Sequence, residues 1–360
     1  METIKVITGI VSLITLTHSL SHHEFCYQDP SCGPGMWVTY FPKCNGTHQS
    51  PIDIDTNSVQ HNQSLRAFNF YNYNVTGTIT DITNNGHTVG LYFEDGSVKI
   101  SAGGLNGHYF AKQLHFHWGN NSHSPGSEHT LNGKQYSISM HIVHTKDGYP
   151  TAEAKNHSDG IAVLSFFIKL VDNKSEDAHW KSIFKPLKNI SEPGQSVPFP
   201  GRFSLMDLIS GVDLTKYYRY DGSLSSPGCD EAVVWTVFRE HIVLNASVVE
   251  GLYHDIYVNK TDGKKLLNNF RPTMARNGRA VWASAALNST SNGTRVTTSE
   301  PDTSTRKATQ PKTTATPYPP KPNTTSTYTP RTTTVRSGSS GLPLARLSLL
   351  LPLALFLLAR

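Results

Sequence analysis

The chain has 360 residues, 37% of them apolar, and a formal charge of +5 spread along its length. That length holds one large domain with appendages. No run of Lys and Arg is dense enough to form a nucleic-acid footprint, which excludes that class of partner.

Residues 1–21 read as a secretory signal peptide. Lys5 gives the positive start, Val6 to Leu16 the short apolar core, and Ser19-Leu20-Ser21 a small-x-small cleavage site, so the mature chain begins near His22. Residues 22–287 have the composition of a globular domain. Short β-type runs at Val89 to Phe93, Tyr136 to His144, Ile161 to Leu170 and Val233 to Phe238 lie between turn pairs such as Asn85-Gly86, Asp95-Gly96, Asn132-Gly133 and Asp262-Gly263. Only Glu176 to Leu187 and Leu205 to Ile209 pattern as short helices, so the domain is predicted to be mainly β. Residues 288–340 are dominated by Thr, Ser and Pro, bury too little apolar surface to fold, and read as an O-glycosylated stalk. Residues 341–360 carry the apolar stretch Leu347 to Ala359, whose 13 residues fall short of the ~20 a spanning helix needs. Small residues at Ser337 to Gly341, a short spacer and this terminal tail form a signal for GPI attachment, after which the tail is removed; a spanning helix is the rival reading.

Twelve Asn-x-Ser/Thr acceptors, from Asn45 to Asn323, agree with the secretory route. So does an even set of cysteines, Cys26, Cys32, Cys44 and Cys229, which predicts two disulfides in an oxidising compartment. Three pairings are open. One closes a small loop between Cys26 and Cys32 and ties Cys44 to the distant Cys229. Zinc thiolates are the alternative, but no C-x-x-C is present.

The residues that carry chemistry begin with Gln113-Leu114-His115-Phe116-His117-Trp118. Strict alternation puts Gln113, His115 and His117 on one face of a strand and Leu114, Phe116 and Trp118 on the other. A polar face of this kind holds two imidazoles toward one metal ion, and zinc needs at least one more protein ligand. The run Tyr136 to His144 alternates too, with Ser137, Ser139, His141 and Val143 sharing a face. With Asn132-Gly133 as the turn between the runs, antiparallel pairing brings His141 to His115 and His117. Three histidines leave one tetrahedral position open, the arrangement of a catalytic zinc. A zinc protease is excluded, because no H-E-x-x-H helix is present.

These motifs resemble the alpha-class carbonic anhydrases. The resemblance runs through Gln49-Ser50-Pro51-Ile52-Asp53-Ile54, Asn85-Gly86-His87, Gln113 to Gly119, Gly126-Ser127-Glu128-His129-Thr130, His141-Ile142-Val143-His144, Gly222 to Pro227 and Asn269-Phe270-Arg271-Pro272. It covers about residues 24–285, and the signal, cysteines and tail are most similar to the GPI-anchored extracellular members. It implies a single domain around a large, twisted, mostly antiparallel central sheet with a few short peripheral helices. It implies one Zn2+ on His115, His117 and His141, reversible hydration of carbon dioxide to bicarbonate by zinc-bound hydroxide, and His87 as proton shuttle. Glu128 and Ser225 would orient the hydroxide, Ser225 standing where the family usually has threonine. Ser226 would line the substrate site, and Val143, Val163, Leu224, Val233 and Trp235 the apolar wall that receives carbon dioxide. Gln113 and the backbone at Asn269 match the groups that hold His115 and His117. Ser139 stands where most members carry a glutamate that fixes His141. His129 and His144 match structural histidines. The resemblance further implies a monomer on the outer face of the plasma membrane, held by its lipid, beside bicarbonate or proton transporters. A second reading, favoured only by Ser225 and Ser139, is a catalytically weakened relative acting as a surface recognition module.

Overall fold

Alternation of apolar and polar residues builds the frame of the domain. In the computed structural model, which describes residues 24–288, ten strands pair in one continuous order. They are Ser196–Pro198, Ile79–Asn84, Val89–Phe93, Tyr109–Trp118, Ile138–Lys146, Ile161–Val171, Val233–Asn245, Tyr217–Gly222, Trp282–Ser284 and Gln60–Asn62. Two more, Phe68–Tyr71 and Lys99–Ala102, join off this path and complete a sheet of 12 strands. Pairing is antiparallel except between Ile161–Val171 and Val233–Asn245, and between Trp282–Ser284 and Gln60–Asn62. The expected mainly β architecture is therefore found. The signal peptide, the stalk and the GPI signal lie outside the described residues.

The Tyr109–Trp118 strand separates its two faces as its sequence predicts. Leu114, Phe116 and Trp118 are fully buried in the larger core, together with Trp180, Ile183, Phe184, Leu205, Leu208 and Ile209. The last six come from two short helices that cover this face. In Ala178–Phe184, Trp180, Ile183 and Phe184 fall on one side at helical spacing, and the Asp177 carboxylate caps the start by accepting from the His179 and Trp180 amides. In Leu205–Ile209 a capping box joins Ser204 and Asp207. The predicted helix from Glu176 to Leu187 is α-helical only as far as Phe184 and continues as a 3-10 helix, Lys185–Ile190. Pro186 accounts for the change, since proline has no amide to donate and crowds the preceding turn.

One expected connection differs. Asn132-Gly133 does not join the two histidine-bearing strands directly. It links Thr130–Leu131 to Lys134–Gln135, a small hairpin that pairs with Asp53–Ile54 in a separate sheet. Both turn residues have positive φ, 52° and 73°, as a tight primed turn requires. The Asp53 carboxylate accepts from Thr130 Oγ1 and the Gly133 amide, which holds the hairpin away from the main sheet. The antiparallel pairing inferred from that turn is nevertheless present between Tyr109–Trp118 and Ile138–Lys146.

The four cysteines form Cys26–Cys32 and Cys44–Cys229. The second ties the N-terminal segment to the loop before the Val233–Asn245 strand. Around it Trp37, Cys44 and Cys229 are fully buried, with Phe25, Tyr27 and Phe41 packed against them.

Candidate metal centre

Strand register sets the centre. His141 pairs directly with His115 across the ladder, and Ser139 pairs with His117, so the three histidines converge on one face. One ring nitrogen from each of His115, His117 and His141 lies within 4.8 Å of the others. His117 Nδ1 is 2.7 Å from the Asn269 carbonyl oxygen. A carbonyl only accepts, so Nδ1 carries the proton and Nε2 keeps its lone pair. That Nε2 is buried with no partner among the described residues. Burial pushes the His115 and His141 rings well below the usual imidazole pKa, and their closeness to one another and to His117 disfavours a second proton in the cluster. Neutral rings with unengaged nitrogens are what a zinc site requires, and the donor set fits a tetrahedral ion with one open position.

Glu128 stands behind the cluster. Its Oε2 is 3.5 Å from His117 Nε2 and 3.9 Å from His141 Nδ1. Sharing one oxygen with the inward nitrogen of His117 puts Nδ1 of His141 on the metal side of its ring. Glu128 Oε1 accepts from the Arg271 amide at 3.0 Å, and the Glu128 amide donates to Ser139 Oγ at 3.3 Å.

The model of the eukaryotic-type carbonic anhydrase family matches residues 32–285. This chain belongs to that family. It is 38% identical over 277 residues to carbonic anhydrase 15 of Mus musculus, an alignment spanning 73% of this chain and 84% of that one. Identity to carbonic anhydrase 6 of Bos taurus is 35% over 265 residues, covering 73% and 81%. Identity to carbonic anhydrase 12 of Homo sapiens is 35% over 258 residues, covering 70% and 71%. The chain is thus a carbonic anhydrase whose cofactor is one zinc ion, and the His115, His117 and His141 triad fits that ion's site.

The remaining residues singled out in the sequence can be placed around that carbonic anhydrase centre. Val143, Val163 and Trp235 lie side by side across three strands, through the pairs Val143 with Val163 and Val163 with Trp235. With Val233 they are buried in a second apolar cluster on the histidine face, against which Leu224 packs. Ser225 and Ser226 follow the Tyr217–Gly222 strand in a loop pinned from several directions. Ser223 Oγ accepts from the Ser50 amide, the Ser223 carbonyl accepts from the Trp235 indole, and the Leu224 amide donates to Asp230 O. Ser225 is buried and Ser226 half-buried. Ser225 and Glu128, expected to orient the hydroxide together, share no hydrogen bond; Glu128 Oε2 has no partner among the described residues. Serine lacks the methyl group that stiffens a threonine rotamer, which leaves its hydroxyl direction unspecified.

Of the groups expected to hold the ligands, the Asn269 backbone does so at His117. Asn269 is fixed in turn, its amide nitrogen donating to the His87 and Phe116 carbonyls. Gln113 does not reach His115, whose Nδ1 is buried without a partner among the described residues. His141 Nε2 is in the same condition. Ser139, the residue expected behind it, instead accepts from the Glu128 amide. His129 and His144 are held as structural residues. His144 Nδ1 lies 3.2 Å from the Ala162 carbonyl and Nε2 2.7 Å from the Tyr73 hydroxyl. The Tyr220 hydroxyl donates to Ser50 Oγ and so accepts from His129 Nε2 at 2.6 Å.

His87 departs from the expectation of an ordinary imidazole. Its ring stacks on Phe25, centroids 3.9 Å apart and planes 12° from parallel. Burial lowers its pKa to about 4. Sequence reasoning missed Phe25, because nothing in a single aromatic next to Cys26 announces a contact 62 positions away.

Proposed function

We propose that this carbonic anhydrase works on the outer face of the plasma membrane, glycosylated, raised on a Ser/Thr/Pro-rich stalk and tethered by a GPI lipid. The secretory start, the stalk composition and the terminal apolar tail support this reading, and the two disulfides of the domain suit an oxidising compartment. No helix among the described residues is long and apolar enough to cross a membrane.

The observation that carries the mechanism is the triad and Glu128 on one sheet face, with the Val143, Val163 and Trp235 row beside them. Zinc, when bound, supplies the Lewis acidity that makes water a nucleophile near neutral pH; carbonic anhydrase is the standard example of that effect. The apolar row receives carbon dioxide, which has no charge to repay desolvation elsewhere. Glu128, its Oε2 free of any donor among the described residues, accepts a hydrogen bond from the Ser225 hydroxyl when that side chain turns toward it, which leaves the Ser225 oxygen to accept from the nucleophile and fix its direction. Ser226 borders the bicarbonate product. The proton released leaves by way of His87, which accepts it once the ring is clear of Phe25. The domain acts as a monomer, delivering bicarbonate and protons to transporters close by.

Purified ectodomain, residues 22–287, is expected to hydrate carbon dioxide, and His117→Ala to abolish the reaction together with zinc binding. Stoichiometric zinc without hydration would move the assignment to the recognition module that Ser139 and Ser225 favour. Treatment of expressing cells with a phosphatidylinositol-specific phospholipase is expected to release the protein; retention would indicate a spanning segment instead.

A further inference from the structure

Two buried polar atoms beside the zinc site have no partner among the described residues, and they stand opposite each other. One is His141 Nε2; the other is Ser165 Oγ. His141 and Ser165 form a direct antiparallel pair between Ile138–Lys146 and Ile161–Val171, and both are buried, 1% and 0% exposed. Directly paired residues project on the same face with Cβ atoms about 5 Å apart. His141 lies between His115 on one neighbouring strand and Ser165 on the other. Its Nδ1 shares the Glu128 Oε2 neighbourhood with His117 Nε2, so its Nε2 lies on the far edge of the ring from that oxygen.

A metal-bound imidazole keeps its proton on the far nitrogen, and that N–H needs an acceptor to fix the ring. Ser139 does not serve: its hydroxyl meets the Glu128 amide, and His141 Nε2 has no hydrogen-bond partner among the described residues. We infer that Ser165 is the positioning residue for the third zinc ligand, its hydroxyl and the His141 Nε2–H joined by one buried water that accepts from the ring. Such a water satisfies two otherwise orphaned groups at once, and bridging of this kind is nearly as favourable in enthalpy as a direct bond. The inference concerns how zinc is held and does not depend on where the protein resides.

Loss of an outer partner of a ligating histidine typically costs about 10- to 100-fold in metal affinity. Ser165→Ala is therefore expected to raise the rate of zinc release to a chelator about tenfold in the otherwise intact protein, with the melting temperature of the metal-free protein unchanged. The His141 Nε2–H resonance in 1H–15N spectra of the zinc form should move upfield or broaden by exchange. Adding Ser139→Glu to Ser165→Ala, which gives the ring an acceptor two residues along its own strand, should return zinc release to within a few-fold of the parent. Zinc release and the His141 N–H signal both unaltered in Ser165→Ala would overturn the assignment. So would a tenfold faster release that the added glutamate leaves untouched while the N–H signal stays in place, because the effect would then not pass through His141.

Discussion

At the scale of single residues, the ligand set was legible and the groups around it were less so. His115, His117 and His141 show themselves because alternation fixes which side chains share a face, and the pairing of two alternating strands brings them together. The hydrogen-bond partners of those rings depend on atoms no periodicity describes, which is why Asn269 meets its histidine while Gln113 does not. His87 shows the same limit more sharply. Its place after Asn85-Gly86 is readable, but its chemistry is set by Phe25, which lies over the ring and removes water from it. Loss of water disfavours the charged form, and the pKa falls to about 4, so at neutral pH the stacked imidazole is unprotonated. Phe25→Ala restores water to the imidazole. The C2–H titration of His87, followed by NMR, is expected to shift from near 4 toward the ordinary value of about 6.5, and turnover in dilute buffer at pH 7 to rise several-fold. A midpoint that stays near 4 would show that other walls of the site, not Phe25, desolvate the ring.

At the scale of elements, strands were found where β-type runs were bounded by turn pairs, and the errors lay in connection. Asn132-Gly133 has the chemistry of a hairpin turn and makes one, but Asp53 captures that hairpin in a different sheet. Sequence shows the turn and not which strands compete for it. The cysteines are a similar case: four residues allow three pairings, and only the fold selects Cys26–Cys32 and Cys44–Cys229. The two bonds should differ in worth. Cys44–Cys229 closes a loop 185 residues long in sequence separation and Cys26–Cys32 one of 6. The chain-entropy model then gives roughly 5 kcal/mol for the first and roughly 2 kcal/mol for the second. Denaturant unfolding of Cys44→Ser with Cys229→Ser, and separately of Cys26→Ser with Cys32→Ser, measures both. Equal losses would mean that native packing around Trp37, rather than loop length, sets the contribution.

At the scale of the whole molecule, the sheet is a device for burying neutral histidines, and this makes its stability depend on pH in a defined direction. His129 and His144 are fully buried, and burial lowers their pKa values to about 3 and about 4. In the unfolded chain both titrate near 6.5. The folded state therefore binds fewer protons than the unfolded state between these values. The stability they contribute is complete above pH 6.5 and is lost as the pH falls toward 4 and then 3. Near pH 5 nearly two more protons are bound on unfolding, which corresponds to roughly 2–3 kcal/mol per pH unit. His115 and His141, also held neutral by burial, act in the same direction when no metal is bound. Urea unfolding of metal-free protein at pH 7, 6 and 5 separates this effect from acid release of zinc. A steep loss of stability across that series is expected, and His144→Gln should reduce the slope by about one proton's share, because Tyr73 and the Ala162 carbonyl then face an amide that does not titrate. A flat profile from pH 7 to 5 would mean that the buried rings remain unprotonated in the unfolded chain as well, through residual structure around the same strands.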